Sequence, residues 1–159
     1  MVGIAEQLVS ADPDDVLVTL GLGSCIGLAV VDVTARVAGL SHIMLPESSG
    51  GKAGSAPRSK FADTAVRALL EAVTRAGGRP GHLTAVLCGG ASMFPGAPGM
   101  GRLAQIGERN TARTLAELAA HRIAVRGRDT GGSSGRSVEV RVATGQVLVR
   151  AARHPPRAL

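Results

Sequence analysis

The sequence predicts an α/β fold, a single-domain layered structure with a mixed or mainly antiparallel sheet and two main helices. Short apolar segments of strand length recur along the 159-residue chain, separated by turns that contain Gly or Pro. Two longer segments carry the apolar period of a helix, and they do not alternate with strands as regular βαβ units would. Because a chain of this length forms one domain and can bury a sizeable core, we expect it to fold without cross-links.

Extended segments make up the first third of the chain. Strands are predicted at residues 2–4, 16–20, 28–32 and 39–45, where β-branched and other apolar residues dominate. The segment at residues 10–15 contains Asp-Pro-Asp-Asp, which is typical of a turn. This third of the molecule is therefore expected to contribute strands rather than helices.

The strongest helix signal follows a loop at residues 46–57, which is rich in Gly, Ser and Pro. Ser59 is placed to cap this helix and Gly77 to end it. The apolar face consists of Phe61, Ala62, Ala65, Val66, Leu69, Leu70 and Val73. Their spacing of three and four residues predicts a helix with one face in the core.

Further elements complete the layered architecture. Residues 83–88 form a continuous apolar segment that predicts a buried strand, and residues 108–121 predict the second helix. The residues of that helix expected to face inward are Leu115, Leu118 and Ala119. Another strand is predicted at residues 123–125.

The C-terminal part of the chain predicts a β-hairpin. Val138, Val140 and Val142 alternate with charged residues, and a Thr-Gly turn then leads into residues 147–149. We expect residues 1–152 to form the domain and residues 153–159 to form a short basic tail.

The net charge of +6 is concentrated in the C-terminal part of the chain. Residues 1–99 carry 7 Lys and Arg against 8 Asp and Glu, whereas residues 100–159 carry 11 against 4. A nucleic-acid binder is one alternative, but two Phe without Trp or Tyr cannot form a base-stacking surface. The charge is therefore interpreted as a solvated basic face that can meet an acidic protein, and no nucleic-acid partner is expected.

Signals for cofactors, secretion and membrane insertion are missing from the sequence. The glycines around Cys25 miss the dinucleotide-binding spacing by one residue, and the four His are 33 or more residues apart. The start of the chain lacks a leader pattern, and no apolar stretch reaches the roughly 20 residues of a membrane span. We expect a cytoplasmic protein with free thiols, no cofactor and no bound metal.

A Cys/His pair is the candidate site that remains. Cys25 lies between Gly23 and Gly27, so backbone N–H groups and a sulfur can face the same space. His42 lies 17 residues downstream in a strand-like segment, and neighbouring strands can bring the two side chains to one face. A lone Cys or His in an apolar segment is more often a core residue, so for Cys25 and His42 this alternative stays open, and Cys88 is interpreted as core. The hydroxyl of Thr19 could orient an imidazole, although its spacing does not require this.

At these residues the sequence closely resembles the CheD family of chemoreceptor glutamine deamidases. The resembling segments are TLGLGSCIG at 19–27, GLSHIMLP at 39–46, FADTAV at 61–66, GGASMF at 89–94, IGERN at 106–110, DTGG at 129–132 and GQVLVR at 145–150. The resemblance implies that Cys25 is the nucleophile, His42 the base and Thr19 the third member. The sequence departs from the family pattern at Phe61, where members often have Tyr, and in the Pro- and Gly-rich residues 94–99.

The resemblance also implies a fold similar to the deamidating cytotoxic necrotizing factor toxins. The implied reaction converts receptor glutamine to glutamate through a cysteine thioester, and the implied partners are the chemoreceptor cytoplasmic helical region and a CheC-type phosphatase. Gly21, Gly23 and Gly27 are expected to leave room for a receptor helix. A non-catalytic module that binds receptors or the phosphatase is the alternative from another functional class.

Overall fold

The described part of the chain folds into three layers, formed by two α-helices, a five-stranded sheet and a four-stranded sheet. The computed structural model describes residues 1–48, 56–92, 105–151 and 154–159. The larger sheet lies in the middle, since it packs against the helices on one face and against the smaller sheet on the other. This arrangement confirms the predicted α/β layered class.

The five-stranded sheet is mixed, with one parallel strand pair. Its strands, in spatial order, are β1 (Gln7–Ser10), β4 (Val37–Ile43), β3 (Ile26–Asp32), β5 (Thr84–Gly89) and β6 (Ala124–Thr130). Every neighbouring pair is antiparallel except β5 and β6. All residues of β3 and β4 are buried because these strands lie inside the sheet and are covered on both faces.

The four-stranded sheet is antiparallel and contains the predicted C-terminal hairpin. Its strands, in spatial order, are β2 (Val16–Leu22), β7 (Arg136–Arg141), β8 (Val147–Ala151) and β9 (Arg157–Ala158). The hairpin pairs Val138 with Val149 and Val140 with Val147, which confirms the predicted hairpin. The segment set apart as a tail in the sequence ends in β9, which pairs with β8.

The first helix, α1 (Ala62–Arg75), buries the predicted apolar face except for Phe61, which precedes the helix in an extended conformation and is only partly buried. Ser59 is not its cap, which corrects the sequence prediction: the N-cap is Phe61, and Ser59 lies in the preceding 3-10 turn. The Ser59 hydroxyl donates to the carbonyl oxygen of Ala5, 2.5 Å away, so a tertiary contact replaces the cap. Gly77 has a φ of +107° just after the helix, which confirms the predicted end.

The second helix, α2 (Ile106–Ala120), buries a partly polar stripe. Its fully buried residues are Gly107, Asn110, Thr114 and Leu118. Leu118 confirms the predicted inward face, whereas Ala119 is exposed because the buried stripe is rotated toward Asn110 and Thr114. Polar side chains at these positions concealed the true inner face from a search for apolar periodicity.

The N-terminal strand prediction for residues 2–4 is wrong. The N–H of Val2 donates to the carbonyl of Val18 at 2.7 Å, and a turn at Ile4 and Ala5 ends the extended segment. The chain then crosses to β4, where the N–H of Ala5 donates to the carbonyl of His42 at 2.9 Å. The first residues therefore connect β2 to β4 instead of forming a strand.

Some features of the sequence prediction fall outside the described part of the chain. Most of the 46–57 loop lies there, as do Phe94 and the Pro- and Gly-rich residues that follow it. The likeness to the toxin fold also stays a prediction. Among the described helices, none is long and apolar enough to cross a membrane.

A buried carboxylate joins the β3–β4 turn to the segment before β5. Asp32 is 1% exposed, and it accepts hydrogen bonds from the N–H of Ala35 at 2.9 Å and of Arg79 at 3.0 Å. Burial raises the pKa of Asp32, but these hydrogen bonds and the Arg79 side chain outweigh it and lower the pKa to about 2.

We expect Asp32→Asn to lower the free energy of unfolding at pH 7 by about 2 kcal/mol, because the native state binds the ionised form more favourably. Since the native pKa is depressed, wild type holds this stability above about pH 4 and loses it as the pH falls toward 2. Urea titrations at pH 7 and pH 3 measure the effect. The matched control is Asp14→Asn, at an exposed carboxylate, and equal losses in both variants at pH 7 would contradict this assignment.

Candidate active site

Cys25 lies in the short turn that joins β2 to β3, and its side chain is half-buried. Its carbonyl accepts from the N–H of Gly90 at 2.8 Å, and the carbonyl of Gly23 accepts from the N–H of Ala91 at 2.8 Å. A side chain at Gly89 would collide with the Cys25 carbonyl, and the φ of Gly89 is +105°. The end of β5 therefore fixes the turn that carries the thiol.

His42 is placed on the same face by the register of the central sheet. It lies opposite Gly27 in the β3–β4 pair, and it is 2% exposed. Cys25 lies in the turn just before β3, and its side chain packs against the core between the two sheets, on the same face. The register places Cys25 diagonally from His42, with no side chain at Gly27 between them, although no hydrogen bond from the thiol to His42 Nε2 is present among the described residues.

Thr19 contacts the imidazole directly. Its hydroxyl oxygen is 2.8 Å from His42 Nδ1 and 2.9 Å from the carbonyl oxygen of Val2. A carbonyl can only accept, so the single hydroxyl proton of Thr19 goes to Val2 and His42 Nδ1–H donates to Thr19. Nε2 of His42 then carries a lone pair, and it is buried without a described hydrogen-bond partner. This tautomer presents a base.

Burial keeps both members of the Cys/His pair neutral. It raises the pKa of the Cys25 thiol and lowers the pKa of the His42 imidazole. At neutral pH the resting site therefore holds a thiol and a neutral imidazole, not a preformed ion pair. Cys88 differs, because deeper burial and the nearby Asp129 raise its pKa to about 12, which agrees with its interpretation as core.

We expect the alkylation of Cys25 by iodoacetamide to keep accelerating with pH up to and beyond pH 9, because only the thiolate reacts. Peptide mass spectrometry of protein treated between pH 5 and pH 10 measures the rate at each cysteine. Cys88 is the internal control and should stay unmodified in the folded protein. A rate that levels off near pH 6 would instead show a preformed thiolate.

The backbone around Cys25 offers free hydrogen-bond donors. No described residue accepts a hydrogen bond from the N–H of Gly23, Ser24 or Cys25. The carbonyls of the same three residues are all bonded, and that of Ser24 accepts from Asn110 Nδ2 at 2.9 Å. The carbonyls of the turn are hydrogen-bonded, and its N–H groups have no described acceptor. The turn can therefore donate hydrogen bonds to the oxyanion that forms when the thiol attacks a carbonyl carbon.

Gly21 and Gly27, two of the glycines expected to leave room for a receptor helix, differ in their surroundings. A Cβ at Gly27 would lie 2.7 Å from Leu22 Cδ1, so this glycine makes room for the core and not for a substrate. Gly21 has a φ of +69° and open space around it. Of these two, only Gly21 leaves room at the surface.

Two contributors to the site were missed in the sequence. The Val2 carbonyl acts through its backbone, so no residue type could have indicated it. Asn110 lies in the helical segment that begins at residue 106. Its spacing of three and four residues from Gly107 and Thr114, which puts the three on one helix face, was the pattern that could have indicated it. Thr19, Cys25 and His42 were each singled out as candidate site residues in the sequence, and the structure brings Thr19 and His42 into contact.

Known proteins are similar to this chain over most of its length. A family model described as CheD chemotactic sensory transduction matches residues 44–151. The probable chemoreceptor glutamine deamidase CheD of Geobacillus kaustophilus is 44% identical over 95% of this chain and 91% of its own length. The probable chemoreceptor glutamine deamidase CheD of Moorella thermoacetica is 45% identical over 97% of this chain and 91% of its own length. The chemoreceptor glutamine deamidase CheD of Thermotoga maritima is 42% identical over 94% of this chain and 90% of its own length.

Proposed function

Since this chain belongs to the CheD family, we propose that it is a chemoreceptor glutamine deamidase in which Cys25 is the nucleophile and His42 the general base. The observation that carries the proposal is the hydrogen bond between Thr19 and His42 Nδ1, which leaves Nε2 as a base on the face that carries Cys25. A cysteine-dependent deamidase uses this combination because the thiolate attacks the amide carbon, and a nearby base has to take the thiol proton.

In the first half of the reaction, His42 Nε2 takes the thiol proton as Cys25 Sγ bonds to the carboxamide carbon of a receptor glutamine. The amide oxygen becomes an oxyanion and accepts hydrogen bonds from free N–H groups of the turn. When the carbonyl re-forms, the carbon–nitrogen bond breaks and the imidazolium protonates the departing amine. Ammonia leaves, and the receptor side chain is held as a thioester.

The second half of the reaction hydrolyses this thioester. His42 removes a proton from a water molecule, whose oxygen attacks the thioester carbon. Cys25 leaves as its sulfur regains the proton, and the receptor residue is released as glutamate. The product differs from the substrate by one negative charge, which alters charge repulsion along the receptor's helical region.

The proposal extends to partners and location. The substrate is the cytoplasmic helical region of a chemoreceptor, which places the protein in the cytoplasm, and a CheC-type phosphatase is a further partner. The basic excess of the C-terminal part of the chain is suited to acidic proteins of this kind. We assign the deamidase domain to residues 1–152, and the basic segment that follows, residues 153–159, adds the edge strand β9 to the smaller sheet of that domain.

The test is incubation of the purified protein with a chemoreceptor cytoplasmic fragment, followed by an ammonia assay and peptide mass spectrometry. We expect stoichiometric ammonia and amide-to-acid conversion at particular glutamines. Added hydroxylamine should divert part of the product to the hydroxamate, since it attacks thioesters. Tight receptor binding without ammonia release would support the non-catalytic alternative and overturn the enzymatic proposal.

We expect Thr19→Val to lower kcat by about ten- to a hundredfold, the usual cost of removing a group that orients a functional histidine. Valine has a similar shape but cannot fix the tautomer at this fully buried position. Steady-state deamidation kinetics measure the effect. Thr19→Ser is the matched control because it keeps the hydroxyl, and a loss as large as that of valine would show that packing, not the hydrogen bond, matters.

A further inference from the structure

Asn110 of α2 is buried beside the proposed site, and nothing in the reaction described above uses its side chain. We propose that Asn110 is a positioning residue that aims the Ser24–Cys25 peptide so that the Cys25 N–H binds the oxyanion. This inference rests on the proposed function, because it assigns a role in the same reaction.

The amide of Asn110 connects two segments that are distant in sequence. Its Nδ2 donates to the carbonyl of Ser24 at 2.9 Å and to the carbonyl of Met44 at 3.0 Å. Ser24 precedes the nucleophile, and Met44 lies two residues after His42. One side chain therefore fixes the backbone next to both members of the Cys/His pair.

The contact with Ser24 determines where the next N–H points. In a trans peptide the carbonyl of one residue and the N–H of the following residue point in opposite directions. Because Asn110 holds the Ser24 carbonyl toward α2, the Cys25 N–H must point away from that helix. This N–H has no described acceptor, and the hydrogen bond at the other end of the peptide polarises it into a better donor.

The orientation of Asn110 is itself tightly determined. The side chain is 0% exposed, and its Oδ1 has no described partner. A flipped amide would place Oδ1 against two carbonyl oxygens, so only the observed orientation is favourable. Helix α2 also packs closely on Gly90, whose N–H donates to the Cys25 carbonyl, since a Cβ at Gly107 would lie 2.5 Å from the Gly90 carbonyl oxygen. The donor is thus preorganised before any substrate binds.

The test compares two reactions of Cys25 in Asn110→Leu, which keeps the approximate volume but removes both donors. Deamidation of a receptor fragment develops an oxyanion, whereas alkylation by iodoacetamide does not. We expect kcat for deamidation to fall by about ten- to a hundredfold, somewhat less than the loss of an oxyanion donor itself. The alkylation rate and the KM for the receptor fragment should stay within about twofold of wild type.

Thr114→Val is the matched control on the same helix. Thr114 is equally buried, but its hydroxyl donates only to the Asn110 carbonyl, so it should lose stability and keep its kcat. If Asn110→Leu does not fold, Asn110→Ser replaces it, and its smaller side chain should give a partial loss of kcat.

Each outcome separates this inference from the proposed function. Wild-type kcat in a folded Asn110 variant overturns the inference alone. Equal losses of deamidation and alkylation also overturn it, because Asn110 would then place the nucleophile and not the oxyanion donor. Failure of wild type to deamidate any receptor glutamine overturns both.

Discussion

Cys25→Ala should reduce deamidation of a chemoreceptor fragment by at least about a thousandfold in kcat, the scale of loss when a covalent nucleophile is removed. Alanine keeps the backbone donors of the turn but provides no atom that can form the thioester. The loss should appear in kcat and not in binding of the fragment, because the half-buried thiol contributes little contact area. Ammonia release and fragment binding, measured on the same preparation, test this.

Cys88→Ala is the control for this prediction. Both cysteines lie on the inter-sheet side of the central sheet, but Cys88 is fully buried and its thiol is far from ionising. Its replacement should lower stability by creating a small cavity while leaving kcat unchanged. If Cys88→Ala were inactive and Cys25→Ala fully active, the nucleophile would be Cys88 and the assignment of Cys25 would be wrong.

The parts of the fold that were predictable are those with a strong local pattern. The apolar period of α1 and the Val138–Val140 alternation of the hairpin each match the structure. Residues 2–4 have the composition of a strand, but their hydrogen bonds go to Val18 and, through the following turn, to His42. Such long-range partners are not encoded in local propensity, so the prediction failed there.

The candidate site shows the same division. Cys25 and His42 could be singled out because a Cys among glycines and a His in an apolar strand are chemically distinctive. Their environment could not, because it depends on the Val2 carbonyl reaching Thr19 and on Asn110 reaching Ser24. Each contact joins segments that only the sheet register and the layer packing bring together. The residues of a site are therefore easier to predict than the groups that orient them.

His42→Ala should lower kcat by about a hundred- to ten-thousandfold, the contribution of a well-placed general base. The remaining activity should rise steeply with pH, since hydroxide must then generate the thiolate that Nε2 forms in wild type. In wild type, activity should instead depend on neutral His42, so it is lost only as the pH falls below the usual histidine range. Initial rates between pH 5 and pH 10 measure both profiles.

The neutral resting pair makes this result specific. Burial raises the pKa of Cys25 and lowers that of His42, so in the proposed mechanism the imidazole has to take the thiol proton in each turnover. Alkylation of Cys25 at high pH requires only the thiolate, so His42→Ala should retain it. A variant that loses both reactions equally would indicate that His42 holds the turn in place, and one that loses neither would exclude it as the base.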